Sequence, residues 1–427
     1  MASSRFARLP GFRDFPPEAF ALRAHIQAAW RRVSRRYGFL EYEGPPLEPL
    51  ELYVEKSGEE IVGQLYAFTD KGERDVTLRP EMTPSLARIL GEHSRGMPKP
   101  IRWFTIPQLF RYERQQRGRL REHFQWNVDI VGEASVAADA EVLAVGIDGL
   151  RELGLGSEDF SARVSDRRLL TALLSAAGVA DDRMTIAFTV VDKIERQPQQ
   201  KTEVMLAEEV GLESDDVGAV LELFEATGLG ALRDRWGHRE DVAARLDTLG
   251  AYLADLEAMG LGDYVEVDLR IVRGLAYYTG IVFELFDRKG ELRAICGGGR
   301  YDRLLELVGG EPLPAVGFGM GDVVLGELLT ERGLIPEYIR EIDYFIVPVG
   351  QEQRREALRI AHTLRDRGHT VAYGLKEQTV GKQMKAASRE GAREVVIVGP
   401  DELARGCVLL RDMTSGDERE LALAELA

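Results

Sequence analysis

Phe110-Arg-Tyr-Glu113 and, a short way on, Gln125-Trp-Asn-Val-Asp129-Ile130 are the segments that decide how this chain folds. In an extended strand, alternate residues share a face. Arg111 and Glu113 therefore point one way, Phe110 and Tyr112 the other. In the second segment Gln125, Asn127 and Asp129 line one face, and Trp126, Val128 and Ile130 the opposite one. Two neighbouring strands would each give an apolar side to a core and a polar side to something else. A half-solvated sheet accounts for this alternation, and so does a sheet that carries a polar, phosphorylated ligand. The connection favours the second reading. Arg111 to Arg121 holds five arginines in eleven residues of an otherwise acidic chain. With Gly118 inside it and strand-like segments at 101–110 and 124–131 on either side, it reads as an arginine-lined hairpin rather than a solvated charge run.

Further along, Arg273-Gly-Leu-Ala-Tyr-Tyr278-Thr-Gly280 is followed by Cys296-Gly-Gly-Gly-Arg-Tyr301-Asp302. Around Gly297, Gly298 and Gly299 no side chain blocks the backbone, so a ligand can lie close against it. Arg273 can grip a phosphate or a carboxylate, and Tyr278 and Tyr301 can wall a small pocket and hydrogen-bond inside it. Either motif alone reads equally well as a Gly-rich hairpin with packed tyrosines. Thr77-Leu-Arg79-Pro-Glu81-Met-Thr83-Pro84 reads as a strand ending in a turn, with a helix over 85–90.

The surrounding chain supplies the frame. Its 427 residues suffice for two or three domains with ordinary cores. Residues 17–37 form an amphipathic helix through Phe20, Leu22, Ile26, Trp30 and Val33, stopped at Gly38. A helix is expected over 135–153. From about 165 to 255 a string of helical segments, interrupted at Gly211, Gly228 and Gly230, reads as an insertion. Strands return at 265–272 and 281–286. The composition changes again at Gly333-Leu-Ile-Pro336, a linker. Beyond it a strand at 344–350, a helix at 352–367, strands at 370–373 and 394–398 and a helix at 380–390 predict a small α/β domain with a largely parallel sheet.

Composition narrows the setting. A net charge of −16 argues against general nucleic-acid affinity. No apolar run approaches the roughly 20 residues that a membrane helix needs, and the N-terminal residues carry no signal-peptide core, so a cytoplasmic protein without membrane association is expected. Cys296 and Cys407, far apart, suggest a reducing compartment. The six histidines have no metal-ligand spacing, and no metal site is expected.

In order and spacing, the pair 273–280 and 296–302 resembles the two histidine-specific motifs of histidyl-tRNA synthetases, and 110–131 resembles motif 2 of the class II aminoacyl-tRNA synthetases. The resemblance runs from Gly11 to the C-terminus and is weakest over 165–255 and 322–324. It implies an α+β fold: a six-stranded antiparallel sheet with flanking helices, a helical insertion and a C-terminal α/β anticodon-binding domain. The implied division is 1–330 catalytic, 331–342 linker and 343–427 anticodon-binding. The implied reaction joins L-histidine to ATP, with Mg²⁺ on the phosphates, and passes the histidyl group to tRNA(His). By the same resemblance Arg111 holds the α-phosphate, Glu113 reads the adenine amino group, and Arg119 and Arg121 reach the outer phosphates. Either His123 or Phe124 stacks on the adenine. Glu81 and Thr83 meet the α-amino group. Gln125, Asp129, Tyr278 and Tyr301 select the imidazole, and Arg273, the catalytic arginine with Arg111, bridges the carboxylate and the α-phosphate. A homodimer is implied, with the segment from Leu40 to Glu48 at its interface.

Two points depart from the family pattern. Asp129 stands where the family often has glutamate. In Ala315-Val-Gly-Phe-Gly-Met-Gly321-Asp322-Val-Val324, valine occupies the position where motif 3 usually carries an arginine, and Arg119 and Arg121 are the cations expected to compensate. The competing reading is a regulatory, non-catalytic subunit of ATP phosphoribosyltransferase, a paralogue that lacks the anticodon-binding domain. Residues 343–427, with Lys376, Lys382 and Lys385 available for RNA phosphates, favour the ligase.

Overall fold

The alternation read at 125–130 becomes the middle of a sheet. A computed structural model describes residues 6–54, 63–114, 116–225, 228–273, 278–307, 309–338 and 342–426. Gly274 to Tyr277 of the arginine–tyrosine motif and Gln115 of the arginine loop lie outside these residues. The chain divides into two compact units, 1–336 and 337–427.

In the first unit the chain passes through β1 (Leu40–Glu41) and then a small antiparallel sheet of β2 (Leu47–Pro49), β3 (Tyr66–Thr69) and β4 (Asp75–Leu78). It returns in β5 (Ile101–Thr105), the short β6 (Gln108–Phe110) and the long β7 (Glu122–Val131). β8 (Phe160–Asp166) and β9 (Val265–Val267) bracket the helical segments, and β10 (Ile281–Asp287), β11 (Cys296–Arg300) and β12 (Ala315–Gly321) complete the sheet. The order is β1-β5-β7-β12-β11-β10-β8-β9, and β6 pairs with the start of β7. The six strands from β5 to β8 are antiparallel to their neighbours, while β1 and β9 add parallel edges. The expected antiparallel sheet is therefore the centre of a wider mixed one.

One face of this sheet is covered by helices Pro17–Arg36, Val136–Arg151 and Asp322–Glu331. Trp126 from β7 stacks on Trp30 with ring centroids 5.8 Å apart and meets Phe318 of β12 edge-on at 5.0 Å. Its indole N–H donates to Ser34 Oγ at 2.9 Å, so the ring is buried without an orphaned donor. Gly149 is required here, because a Cβ on it would sit 2.4 Å from the Trp126 ring. The helical segments from Arg167–Ala176 to Glu240–Ala258 join this same core through Leu173, Val190, Leu246 and Tyr252.

Three local readings differ. Residues 160–166 are a full central strand that the periodicity reading passed over. The strand expected at 265–272 stops at Val267, because the Asp268 carboxylate takes the Arg270 N–H at 3.0 Å and its guanidinium at 2.7 Å, closing a turn. Arg111 to Glu113 lies beyond β6, in a tight turn with Glu113 N–H donating to the Arg111 carbonyl at 2.9 Å.

The second unit has the strand order β14-β13-β15-β16-β17, where β13 is Ile342–Pro348, β14 Val371–Tyr373, β15 Ala392–Val398, β16 Cys407–Asp412 and β17 Glu418–Ala422. The first three are parallel, as expected; the hairpin β16–β17 is antiparallel and was not read from sequence. Helix Arg354–Asp366 packs with Ile346 and Val396, and helix Val380–Arg389 with Phe345 and Val395, so both faces of the sheet are covered. Lys376, Lys382 and Lys385 are exposed.

Candidate active site

The opposite face of the first sheet, partly covered by the helix Thr83–His93, carries a cavity of about 790 Å³, a size ordinary for a small-molecule site. Its floor follows from strand alternation. Trp126, Val128, Phe318 and Met320 go to the core, so Gln125 and Asp129 of β7 and Gly317 and Gly319 of β12 face the other way. The glycines are there because of their neighbours. A Cβ on Gly317 would lie 2.2 Å from Asp129 Oδ1, and one on Gly319 2.7 Å from the Gln125 amide carbon. Each glycine gives its space to the polar side chain on the adjacent strand.

The same holds for β11, with a change from expectation. The space beside Gly297 is taken by the Arg273 guanidinium, whose Nη1 would be 2.1 Å from an added Cβ. Gly298 is pressed against the Gly317 carbonyl and Phe318. The glycine run thus seats protein groups first, and Gly297 remains part of the cavity wall.

Buried on the same sheet face, and not among the residues lining the cavity, the Tyr301 hydroxyl donates to Asp129 Oδ1, and the Tyr278 and Tyr301 rings meet edge-on at 6.4 Å. Burial pushes the Asp129 carboxyl up to about 7, and the Tyr301 hydrogen bond works against that rise. Gln125 lies on the same side, four residues back along the strand, and lines the cavity.

Arg273 reaches over the Tyr278 ring, 5.7 Å from its centroid, and pairs with Glu284 of β10. Burial disfavours its charge, but Tyr278 and Glu284 outweigh this and hold the guanidinium firmly protonated. Its backbone has φ of 54°, a left-handed conformation rare for a long side chain. The turn carrying Glu81 is fixed from behind. Tyr53 donates to the Glu81 carbonyl at 3.2 Å, and buried Arg79 ties Glu43 at 2.7 Å to the Gln108 carbonyl at 3.1 Å. Glu81 lines the cavity; Thr83 opens the helix Thr83–His93.

At one end of the cavity stand Arg111, Glu113, Arg119 and His123. Arg111 Nε donates to the Pro80 carbonyl at 2.9 Å, and Arg111 has no ion pair among the described residues. Arg119 pairs with Glu113 at 2.6 Å. Burial, with Arg111 and Arg13 close by, pushes His123 down to about 3, so it is neutral. The hairpin is as expected, with Gln116 and Arg119 bridged and Gly118 left-handed at φ 72°. Two of the expected nucleotide contacts point elsewhere. Arg121 lies 4.0 Å over the Tyr112 ring, and Phe124 packs edge-on against Phe15 beneath Arg23. Of the two candidates for stacking on a base, His123 is the one in the cavity wall.

The segment after β12 also has a fixed geometry. Asp322 is buried, accepts from the Phe124 backbone N–H at 2.9 Å, and pairs with Arg13 at 2.9 Å. Arg13 also grips Glu122 at 2.6 Å. Val324 joins the cavity wall. The strands further bring in three groups that the sequence reading missed: Glu284, Arg293 and Arg196. A lone carboxylate inside Ile281-Val-Phe-Glu284-Leu-Phe286 was the available signal for the first. The other two sit in charged loops, where sequence offers none.

Comparison with known proteins agrees with this arrangement. Residues 11–321 match the family model for histidyl-tRNA synthetase, and residues 343–427 that for an anticodon binding domain. A histidine–tRNA ligase of Opitutus terrae is 46% identical over 97% of this chain and 96% of its own length. A chloroplastic/mitochondrial histidine–tRNA ligase of Arabidopsis thaliana is 41% identical over 97% of this chain and 85% of its own. The crystal structure of a histidyl-tRNA synthetase from Nostoc sp. PCC 7120 superposes with a TM-score of 0.83 at 25% identity, covering 99% of this chain and 98% of that one. With a polar cavity on an antiparallel sheet, Glu81, Arg111, Gln125 and Arg273 in its wall, and relatives matched over most of their length, the chain belongs to the histidyl-tRNA synthetase family of class II aminoacyl-tRNA synthetases.

Proposed function

We propose that this protein is a histidine–tRNA ligase that activates L-histidine with ATP and passes the histidyl group to the terminal ribose of tRNA(His). The observation that carries this is one polar cavity with two kinds of equipment: Gln125 in its wall, on the sheet face that also carries the buried Asp129–Tyr301 pair, and an arginine end with Arg111 and Arg119. In the first step a histidine carboxylate oxygen attacks the α-phosphorus, the bond to the β-phosphate breaks, and pyrophosphate leaves. Two anions must approach while charge builds at phosphorus. Arg273 and Arg111 would stabilise this, an effect worth on the order of 10²-fold per contact. Arg273 would exchange Glu284 for the substrate. Glu81 and Thr83 would take the α-amino group. Glu113 would read the adenine amino group once Arg119 turns to the phosphates, with His123 against the base; Arg121 and Phe124 belong to this reading only if the loop rearranges. In the second step a ribose hydroxyl of tRNA attacks the acyl carbonyl and AMP leaves.

Mg²⁺ fits as an ion carried by ATP. Among the described residues no group of three or more histidine, cysteine or acidic side chains is placed to hold one, and Mg²⁺ is commonly bound through phosphates with few carboxylates. It would screen the phosphates from one another. A homodimer is part of the reading, supported by the exposure of Leu40, Leu47 and Phe68 around the segment expected at the interface. A cytoplasmic setting suits two buried, unpaired cysteines, and no helix among the described residues is long and apolar enough to cross a membrane.

The matched anticodon-binding unit favours the ligase over the regulatory paralogue. Histidine-dependent ATP–pyrophosphate exchange tests the choice. We expect exchange with histidine and none with other amino acids; histidine binding without exchange would move the protein to the regulatory role.

A further inference from the structure

The arginine end of the cavity has more positive charge than its carboxylates answer. Arg119 is satisfied by Glu113, and Arg196 has only an exposed partner, Asp192, at 3.6 Å. Arg293, in the loop between β10 and β11, has no ion pair among the described residues; its guanidinium donates to the Gln116 amide oxygen. Its position relative to Val324 is informative. A Cβ on Gly118 would lie 3.1 Å from Val324 Cγ2 and 3.8 Å from Arg293 Cδ, so both side chains flank the same spot at the tip of the arginine hairpin. Val324 contributes only methyl groups there, and the Arg293 stem runs beside it. Arg121, the other cation expected to help, is turned onto Tyr112.

We propose that Arg293 binds the outer phosphates of ATP and supplies the positive charge that Val324 cannot. This rests on the ATP-dependent activation proposed above and names a residue for it. A guanidinium suits the task because it is charged at every working pH and can present two parallel donors to a phosphate. Its surroundings agree: partial burial and neighbouring Arg119 and Arg196 disfavour its charge, Glu113 only partly offsets them, and a polyanion would relieve the crowding. The Gln116 contact is a neutral one that a phosphate can displace.

The test is steady-state ATP–pyrophosphate exchange on the full-length protein and on Arg293→Ala, alongside binding of histidyl-sulfamoyl-adenosine, an adenylate analogue without outer phosphates. We expect Arg293→Ala to raise KM for ATP roughly 10- to 100-fold, the usual range for one charge-assisted contact. KM for histidine and affinity for the analogue should stay within about twofold. Val324→Arg added to Arg293→Ala should recover part of the ATP affinity, because it returns a guanidinium to the same spot from the other side. An unchanged KM for ATP, in a protein whose wild type exchanges normally, overturns the role of Arg293 alone. Parallel loss of analogue binding also overturns it, since the residue would then be shaping the cavity as a whole. Absence of histidine-dependent exchange in the wild type instead brings down the activation reading.

Discussion

The two faces of the central sheet use the same residue type in opposite ways. On the helix face Arg300 is buried and its guanidinium meets Asp139 at 3.0, 3.1 and 2.6 Å; it also donates to the carbonyls of Glu133 and Ser135. Burial lifts the Asp139 carboxyl to about 6, yet Asp139 and Asp302 raise the Arg300 pKa, and the three short contacts make this an ion pair at neutral pH. On the cavity face Arg273 pairs, among the described residues, with one carboxylate, Glu284, and it lines the open cavity. A fully answered arginine is architecture. A half-answered one keeps capacity for a ligand, and a glycine on the next strand sets its position.

The sharpest way to break this contrast is to remove Arg300. Arg300→Ala leaves Asp139 buried and unpaired, and we expect a loss of about 3–5 kcal/mol in urea unfolding. A midpoint that does not move would mean the pair is not structural. On the other face the cost should appear in rate rather than stability. Arg273→Ala should slow adenylate formation by roughly 10²-fold or more, measured by rapid quench, with little change in unfolding. Gly297→Ala should imitate it, because its Cβ would occupy the guanidinium's place; a displacement of about 1 Å at such a group can cost roughly 10²-fold. If Gly297→Ala reacts normally, Arg273 does not work from the position seen here.

The most gradual effect, spread over several pH units, concerns Asp129. Its pKa in the folded protein lies above the ordinary carboxylate value, at about 7. A raised value favours folding while the group keeps its proton. That contribution is complete below about pH 4 and is lost as pH rises through about 7. Asp129→Asn removes the titration. Relative to wild type, the variant should therefore gain stability between pH 4 and 8, with a slope of at most about 1.4 kcal/mol per pH unit. Parallel stability curves across that range would show that Asp129 ionises normally.

Much of this site was legible because strand alternation is a local rule. Gln125, Asp129 and Trp126 went to their faces from the sequence alone, and so did the helices at 17–36 and 136–151. Less was legible where meaning depends on a neighbour far along the chain. Phe160-Ser-Ala-Arg-Val-Ser-Asp166 alternates cleanly, but it runs straight into the helix Arg167–Ala176, whose stronger pattern masked it. Gly297, Gly298 and Gly299 looked like room for a ligand, and only the packing of distant segments reveals which protein groups use that room. Arg121 and Arg293 sit in charged loops, and nothing local tells which one turns inward.

Arg13 carries a consequence for the order in which the molecule is completed. It joins Glu122 and Asp322, and the second partner lies 309 residues downstream. On a ribosome working at about 5–20 residues per second, the segment around Arg13 waits roughly 15–60 s for that partner to be synthesised. Until then Arg13 has Glu122 but neither Asp322 nor the helix that begins there. The segment around Arg13 is therefore fully tied down only after Asp322 has been made, so closure of this end of the sheet reports that synthesis has passed β12.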